Sequence, residues 1–416
     1  MSRAISTQEI PMIYWVPKKA SLLLHPLVIF SAVWLGVIGL YSLHLSKLLQ
    51  YSTQEAVTAV LYVWAPFAGI TLFCSALRQF TLLGFPRANR VTTLDLSLVD
   101  RRLQGFFILW LMATLIEVIV SGGIPIVWAL EHGSKIYTDY GIPSLHGLVN
   151  SLLLSIALCR YGIFLLAGRR KDLVIPLFVP IWAILIINRN MLLVTLLQYG
   201  VLYLYLKRVR LLRVIQCAIA FLLFVLVFGI VGDIRQGSSD ALRMVAQPTD
   251  QYPEWLPSGA LWAYIYATTP INNLIHTAYT VPPEENILFP NTAATLFPSV
   301  VRKIIYGSRS DDAESGNLVV SSFNVSTAYI GPYQDYGYIG MVAFSAFTAF
   351  FSQLFWFRTN FRDVLIYSIL AQCLVITLFF NHFFALPVIT QIVWMFCFFL
   401  PEVHLGKQAR TMLASS

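Results

Sequence analysis

The sequence contains few charged residues. Asp, Glu, Lys and Arg make up 12% of the 416 residues, about half the share in a typical soluble domain, while 57% of the residues are hydrophobic. A soluble chain of this composition would expose too much apolar surface, so the composition indicates a protein whose solvent is a lipid bilayer. The net charge of +8 does not indicate nucleic-acid binding, because the basic residues are sorted among particular loops.

The sequence also lacks a cysteine framework and the common catalytic motifs. The cysteines lie in apolar segments without metal or disulfide spacing, which indicates helix packing. There is no Walker motif, no Gly-x-Ser-x-Gly motif and no Asp-x-Asp pair at an outer helix end. We therefore expect neither a metal nor a cofactor. The five cysteines are Cys74, Cys159, Cys217, Cys373 and Cys397.

Apolar segments of membrane-spanning length recur along the chain. The first is too long for the core of a signal peptide and is interpreted as a retained helix. Together the segments predict an all-α polytopic membrane protein with about ten transmembrane helices. Seven fall in an N-terminal bundle (1–232), and three precede a tail in 336–416. The predicted spans are 21–46, 55–77, 106–130, 145–168, 173–187, 191–206, 212–232, 336–357, 364–380 and 385–401.

The basic residues predict the orientation. One set of alternating loops and the N-terminal segment hold 19 of the 28 Lys and Arg residues, the other set holds eight, and Arg160 lies within a helix. The dense side is predicted to be cytoplasmic, with both termini on it. The long segment 233–335 then faces outward. Its aromatic residues and prolines predict short helices at the membrane surface that cap a cavity between the spanning helices.

Arginines at outer helix ends are the first candidate site residues. The segments on either side of Asn188-Arg189-Asn190 are too short to cross the bilayer fully, so Arg189 is predicted to lie at or below the outer surface. Arg235 and Arg243 follow another outgoing helix, in a loop that is acidic overall. The guanidinium fork suits a diphosphate. The alternatives are snorkelling of Arg189 to headgroups and a salt bridge of Arg235 with Asp233 or Asp240.

Glu117 and Arg160 are charged residues inside predicted helices. Counted from the predicted cytoplasmic ends, they lie at similar depths, which predicts a buried ion pair that fixes helix register. A proton relay is the alternative.

Several motifs together resemble the Wzy-type O-antigen polymerases, the oligosaccharide repeat-unit polymerases. They are Gly122-Gly-Ile-Pro125, Gly141-Ile-Pro-Ser-Leu-His-Gly147, the Arg189 hairpin, Gly232-Asp-Ile-Arg235, Phe323-Asn-Val-Ser-Thr327 and Asp335-Tyr-Gly-Tyr-Ile-Gly340. The resemblance lies in their order over residues 106 to 345.

The resemblance implies a GT-C-like glycosyltransferase of the bacterial inner membrane. Such an enzyme joins undecaprenyl-diphosphate-linked repeat units into O-antigen or a related surface polysaccharide, in lipopolysaccharide biosynthesis, on the periplasmic side. It would bind lipid-linked glycans within the bilayer, and a chain-length regulator and a flippase are further candidate partners. The protein must stabilise charge on the leaving diphosphate and can remove the acceptor proton. The candidates for that base are His276, Glu284, Asp335 and His382.

Two alternative functions share many of these features. An O-antigen ligase would differ in its acceptor, a lipid A core. A transporter or flippase for a lipid-linked oligosaccharide is favoured by the predicted Glu117–Arg160 pair, but it is disfavoured by the single long outer loop and the scarcity of charge within the helices.

Overall fold

The computed structural model describes most of the chain. The described residues are 12–15, 21–79, 92–131, 135–207, 239–253, 255–256, 258–285, 288–307, 316–320, 325–358 and 360–400, with the isolated positions 212, 215, 216 and 219. Most of the predicted span 212–232, together with Arg235, lies outside them.

The described residues are almost entirely helical. Two short antiparallel strands, β1 (Met12–Trp15) and β2 (Thr92–Asp95), pair with Met12 opposite Asp95. The α-helices are α1 (Pro26–Tyr41), α2 (Thr53–Gln79), α3 (Leu96–Ser121), α4 (Pro125–Leu130), α5 (Leu145–Ala167), α6 (Val174–Leu185), α7 (Arg189–Leu206), α8 (Ser239–Ala246), α9 (Ser258–Thr280), α10 (Pro290–Ala293), α11 (Ser299–Tyr306), α12 (Ile330–Phe357), α13 (Phe361–Ile376) and α14 (Leu386–Phe398).

These helices form a membrane protein. Within the described residues, four helical segments are long and apolar enough to cross a bilayer. Shorter apolar helices, α1 and α14 among them, accompany these four. Described helices occupy nine of the ten predicted spans, and the remaining span, 212–232, lies mostly outside the described residues. The four long segments are Thr53–Arg78, Leu96–Leu130, Leu145–Ala167 and Ile330–Phe357.

Burial divides the helices into a central pair and a surrounding layer. Nearly every side chain of α13 is buried, and α5 is buried along most of its length. Helix α5 packs against α3, α6, α7 and α14, while α13 packs against α1, α7, α12 and α14. Helix α3 instead exposes a band of large apolar side chains, including Leu115 and Ile119. An exposed apolar band on a helix of spanning length is the surface that lipid covers.

The two ends of the bundle differ. One end, called here the loop end, carries the connections 42–52, 122–144, 186–188 and 377–385 and helices α8 to α11. The other carries 168–173 and 358–360 and is called the opposite end. The described basic residues divide as the sequence predicted, with Arg78, Arg101, Arg102, Arg169, Arg170, Lys171, Lys207, Arg358 and Arg362 near the opposite end and Lys47, Lys135, Arg189, Arg243, Arg302 and Lys303 near the loop end.

The start of α3 differs from the prediction. The sequence predicted a span from residue 106, but the helix begins at Leu96, with Asp95 accepting hydrogen bonds from the backbone N–H groups of Ser97 and Leu98 as its N-cap. The first turns carry Asp100, Arg101 and Arg102, which hydropathy cannot assign to a spanning segment. This shift of ten residues moves Glu117 from mid-helix to the last turns of α3.

Candidate functional site

The candidate site begins with a cavity at the loop end. Its volume is about 1010 Å³, and it lies between the connection after α3 and the turn that joins α6 to α7. Arg189, the first residue of α7, lines it and lies at the turn that the short flanking segments predicted. Asn188 fixes the turn, because its side-chain oxygen accepts a hydrogen bond from the Met191 N–H at 2.9 Å. Lys135 places a second cation on the cavity wall.

Lys135 is held over the end of α3. Its ammonium donates a hydrogen bond of 2.6 Å to the carbonyl of Ser121 and lies 5.3 Å from the centre of the Trp128 ring. A cation at a helix C-terminus is favoured by the helix dipole and by the last carbonyl groups, which have no partner within the helix. Lys135 therefore has a structural contact, while it also brings positive charge to the cavity.

A histidine and a buried carboxylate meet at the cavity wall. His146, the second residue of α5, has its Nδ1 3.2 Å from Oε2 of Glu117. The Glu117 side chain is 1% exposed, whereas that of His146 is 26% exposed. Asn150, one turn further along α5, has its amide nitrogen 2.9 Å from Nε2 of His146. An amide donor on Nε2 places the imidazole proton on Nδ1, where Glu117 accepts it.

The segment before α5 is shaped around this histidine. Gly141 has φ +93°, and a β-carbon at that position would lie 2.6 Å from the His146 ring, so only glycine fits. The Gly141 N–H donates to Ser121 Oγ at 2.9 Å, and the Ile142 N–H donates to Glu117 Oε1 at 3.4 Å. The Gly141–Gly147 motif therefore ties the start of α5 to the last turns of α3.

Tyr140 completes the wall. It is 6% exposed, and its ring packs edge-on against His146 with centroids 5.2 Å apart. Its buried hydroxyl has no hydrogen-bond partner within the described part of the chain. Buried hydroxyl groups are normally paired, so an orphan invites an explanation. Burial raises the pKa of Tyr140 to about 12, which keeps the hydroxyl protonated at neutral pH.

A second cavity adjoins the first. Its volume is about 460 Å³, and it lies between the start of α5, helices α10 and α11, and the start of α14. Arg302 of α11 lines it. Tyr140 and His146 line both cavities and so stand at the boundary between them.

The predicted Glu117–Arg160 pair is wrong. Glu117 contacts His146 at the loop end, whereas Arg160 binds Asp100 and Asp172 near the opposite end. His146 and Arg160 are 14 residues apart on α5, about 21 Å along the helix axis. The prediction failed because it started α3 at residue 106, which placed Glu117 at the depth of Arg160.

The Arg160 partners form a compact ion-pair cluster. Arg160 Nη1 lies 2.8 Å from Asp172 and also contacts Asp100, while Arg169 lies 2.7 Å from Asp172 and 2.9 Å from Asp100. Lys171 approaches Asp100 at 3.6 Å. Asp100 and Asp172 each contact at least two cations, which indicates a structural network.

The hydrogen bonds of Asp335 indicate a structural role. It is fully buried, and its carboxylate accepts hydrogen bonds from the backbone and side chain of Asn291 at 3.0 and 2.9 Å and of Thr292 at 2.8 and 2.6 Å. Four donors leave little room for a substrate proton. Asp335 joins α10 to the first turns of α12, just before the break at Tyr336 and Gly337.

The two other histidine candidates lie away from these cavities. His382 is buried in the connection between α13 and α14, with Nδ1 3.0 Å from the Gln372 amide. Burial lowers its pKa to about 4, which makes it a weak base at neutral pH. His276 of α9 has its Nδ1 2.8 Å from the Tyr51 hydroxyl. Neither lines the cavities at Arg189 and Arg302.

The remaining predicted site residues are dispersed. Glu284 and Arg243 are exposed in the loop-end segments and do not line either cavity. Arg235 lies outside the described residues. Within the described residues, no group of three or more His, Cys, Asp or Glu side chains is placed to hold a metal ion.

Sequence reasoning missed His146, Tyr140 and Lys135 as site residues. His146 lies inside the Gly141–Gly147 motif, so its position was marked, but its partner Glu117 had been assigned to Arg160. The signal that could have found it is an acid five residues before Gly122, the first glycine of the helix-ending pair Gly122-Gly123, together with a histidine at the start of the next helix.

Comparison of the chain with protein-family models, with curated proteins and with solved structures found no significant match.

Proposed function

We propose that the chain is a metal-independent glycosyltransferase that polymerises undecaprenyl-diphosphate-linked oligosaccharide repeat units into O-antigen or a related surface polysaccharide. The observation that carries this proposal is the cavity at the loop end, where Arg189 and Lys135 line the same space as a histidine backed by a buried carboxylate. The resemblance of the ordered motifs to Wzy-type polymerases supports the same assignment.

The chemistry requires two kinds of group. Charge develops on the diphosphate as it leaves the donor sugar, and cations fixed beside it stabilise that charge. The acceptor hydroxyl must lose a proton. Arg189 and Lys135 suit the first task. Arg235, adjacent to the same predicted outer surface, is proposed as a further diphosphate ligand.

The proposal includes a topology. We propose ten spanning helices in a GT-C-like arrangement in the bacterial inner membrane, with the loop end periplasmic and both termini cytoplasmic. The segregation of basic residues toward the opposite end supports this orientation. A single cysteine in place of Ser258 in a background without the five native cysteines should react with an impermeant maleimide in spheroplasts. Labelling only after lysis would reverse the orientation.

The ligase alternative has the same donor and differs in its acceptor. The transporter alternative loses its main support, because Glu117 and Arg160 have separate partners. The deciding experiment reconstitutes the purified protein in liposomes with a lipid-linked repeat unit and, in a parallel sample, adds lipid A core. A ladder of products without lipid A core supports a polymerase, whereas product only with the core supports a ligase. No glycan product in either sample overturns both.

A further inference from the structure

The wall between the two cavities is where two substrates would meet. Tyr140 and His146 line both spaces, one with Arg189 and Lys135 and the other with Arg302. A reaction between two diphosphate-linked glycans needs a cationic position for each substrate and one reacting point between them. The loop end has an arginine in each cavity, Arg189 and Arg302, and His146 at the boundary between them.

We propose that His146 is the catalytic base of the transfer, that the Tyr140 hydroxyl binds a glycan hydroxyl beside it, and that the donor occupies the Arg189 cavity and the acceptor the Arg302 cavity. This inference rests on the proposed function. The larger volume, about 1010 Å³ against about 460 Å³, assigns the donor, which carries the growing chain, to the Arg189 side.

The proton balance follows from the tautomer. The acceptor hydroxyl oxygen forms a bond to the anomeric carbon of the donor, and the bond from that carbon to the diphosphate oxygen breaks with its electron pair on the diphosphate. The hydroxyl proton passes to Nε2 of His146, whose lone pair now accepts from Asn150. The acceptor hydroxyl thus takes the place of the Asn150 amide. The imidazolium then returns its proton to water or to the released diphosphate.

Glu117 is a positioning residue in this scheme. It contacts Nδ1 from a site that is closed to solvent, so it fixes the tautomer and orients the ring, and its charge stabilises the imidazolium. A carboxylate that only stabilised the fold would have no need of a partly exposed histidine as its partner at a cavity wall.

The orphan hydroxyl of Tyr140 is the second observation that points to a ligand. A buried hydroxyl without a partner destabilises the protein, so its retention is explained when the bound glycan supplies the partner. Tyr140→Phe separates the two roles by affinity. If the hydroxyl does not bind substrate, the substitution leaves affinity unchanged, whereas a binding hydroxyl is lost together with affinity; in both cases the empty protein stays as stable or becomes more stable.

The test uses the full-length protein in liposomes with a synthetic lipid-linked repeat unit. We expect His146→Ala and His146→Asn to lower kcat by about 10²–10⁴-fold, the range for general-base groups, and imidazole to restore part of the rate of His146→Ala. Tyr140→Phe should raise KM about tenfold with an unchanged or higher melting temperature. Glu117→Gln should lower kcat with little change in KM, and Glu117→Asp should recover part of it.

The matched control is His44→Ala, a histidine at the same end that contacts Thr53 and lines neither cavity. It should have the wild-type rate. Wild-type kcat in both His146 variants, or wild-type KM in Tyr140→Phe, overturns the assignment of that residue and leaves the polymerase proposal standing. Failure of the wild-type protein to make polymer overturns both proposals. His146→Asn keeps a donor toward Glu117, so it tests the base even if His146→Ala does not fold.

Discussion

The two ends of helix α5 place charged side chains in contrasting surroundings. Near its C-terminus, Arg160 is packed among Asp100, Asp172 and Arg169, with each acid contacting two or more cations. At its N-terminus, His146 contacts one buried acid, and the nearby cations Lys135 and Arg189 line a cavity. The first arrangement encloses its charges among side chains of the protein, whereas in the second Arg189 and Lys135 line a space that can hold an anion.

This contrast gives a criterion for separating structural from ligand-binding charges in a membrane protein. Charge within or near the bilayer is expensive, so its presence alone indicates only that something compensates for it. Where the compensation is complete within the protein, structure is the simpler explanation. Where cations and an oriented histidine line open volume, a ligand can also bind there. Substitutions that exchange or remove these compensations test the distinction.

Removal of Arg160 should have the largest effect, and the effect should be on folding. In Arg160→Ala, Asp100 and Asp172 share Arg169, and Asp172 is 1% exposed. Breaking a buried ion pair costs about 3–5 kcal/mol of folding stability. We expect a large loss of protein yield and a lower melting temperature in detergent, with near-normal activity per folded molecule. Arg170→Ala, an exposed arginine in the same segment, is the control. A stable but inactive Arg160→Ala protein would contradict this assignment.

Removal of Arg189 should act on rate rather than on yield. Loss of one donor to the leaving diphosphate costs about 10²–10³-fold in rate, by analogy with groups that stabilise oxyanions. Arg189→Lys keeps the charge but loses the bidentate fork, so it should recover only part of the rate. Polymer ladders at matched protein levels provide the measurement, again with Arg170→Ala as control. Normal rates in both Arg189 variants would place the phosphate site elsewhere, with Arg235, Arg243, Arg302 and Arg309 as the remaining loop arginines to test.

The contrast between the two ends of α5 also shows what the sequence could predict. Hydropathy located the helices, because a span must be apolar along its length whatever its neighbours are. The short segments around Arg189 predicted a turn at that arginine between two short helices, because length alone constrains that turn. Both inferences use properties of one segment at a time, and the described helices agree with them apart from the start of α3.

Partnership between helices could not be predicted in the same way. The pairing of Glu117 depends on where α3 begins. Its first turns carry charged residues, so hydropathy does not assign them to a spanning helix. A ten-residue error along the helix is about 15 Å, more than the reach of any side chain. Asp335 was a candidate base because an acid after a long loop is conspicuous, but its four donors come from residues 43 and 44 positions away, a contact that no local pattern indicates.

Asp335 provides a test of intermediate size. In Asp335→Asn, an amide group faces donors of Asn291 or Thr292, so one or more buried donors lose their acceptor at a cost of about 1–3 kcal/mol each. We expect a lower melting temperature with unchanged activity per folded molecule. Glu285→Gln, an exposed acid in the preceding segment, should have no effect. An Asp335→Asn protein that is as stable as wild type but inactive would make Asp335 a catalytic candidate again.

Substitution of Lys135 should give the smallest effect, because the side chain is exposed to solvent. Its two roles can be tested separately. Its ammonium caps the Ser121 carbonyl and also places charge at the cavity that Arg189 lines. Lys135→Gln keeps a donor for the carbonyl and removes the charge, whereas Lys135→Met removes both. An exposed cation acts on an anion through solvent and is screened by salt. We therefore expect Lys135→Gln to raise KM a few-fold at low ionic strength and to match wild type at high salt, with an unchanged melting temperature, and Lys135→Met to lower the melting temperature as well. If Lys135→Gln has the wild-type KM at every salt concentration, the ammonium serves only to cap α3. Arg189 would then be the cation of the large cavity that binds the diphosphate.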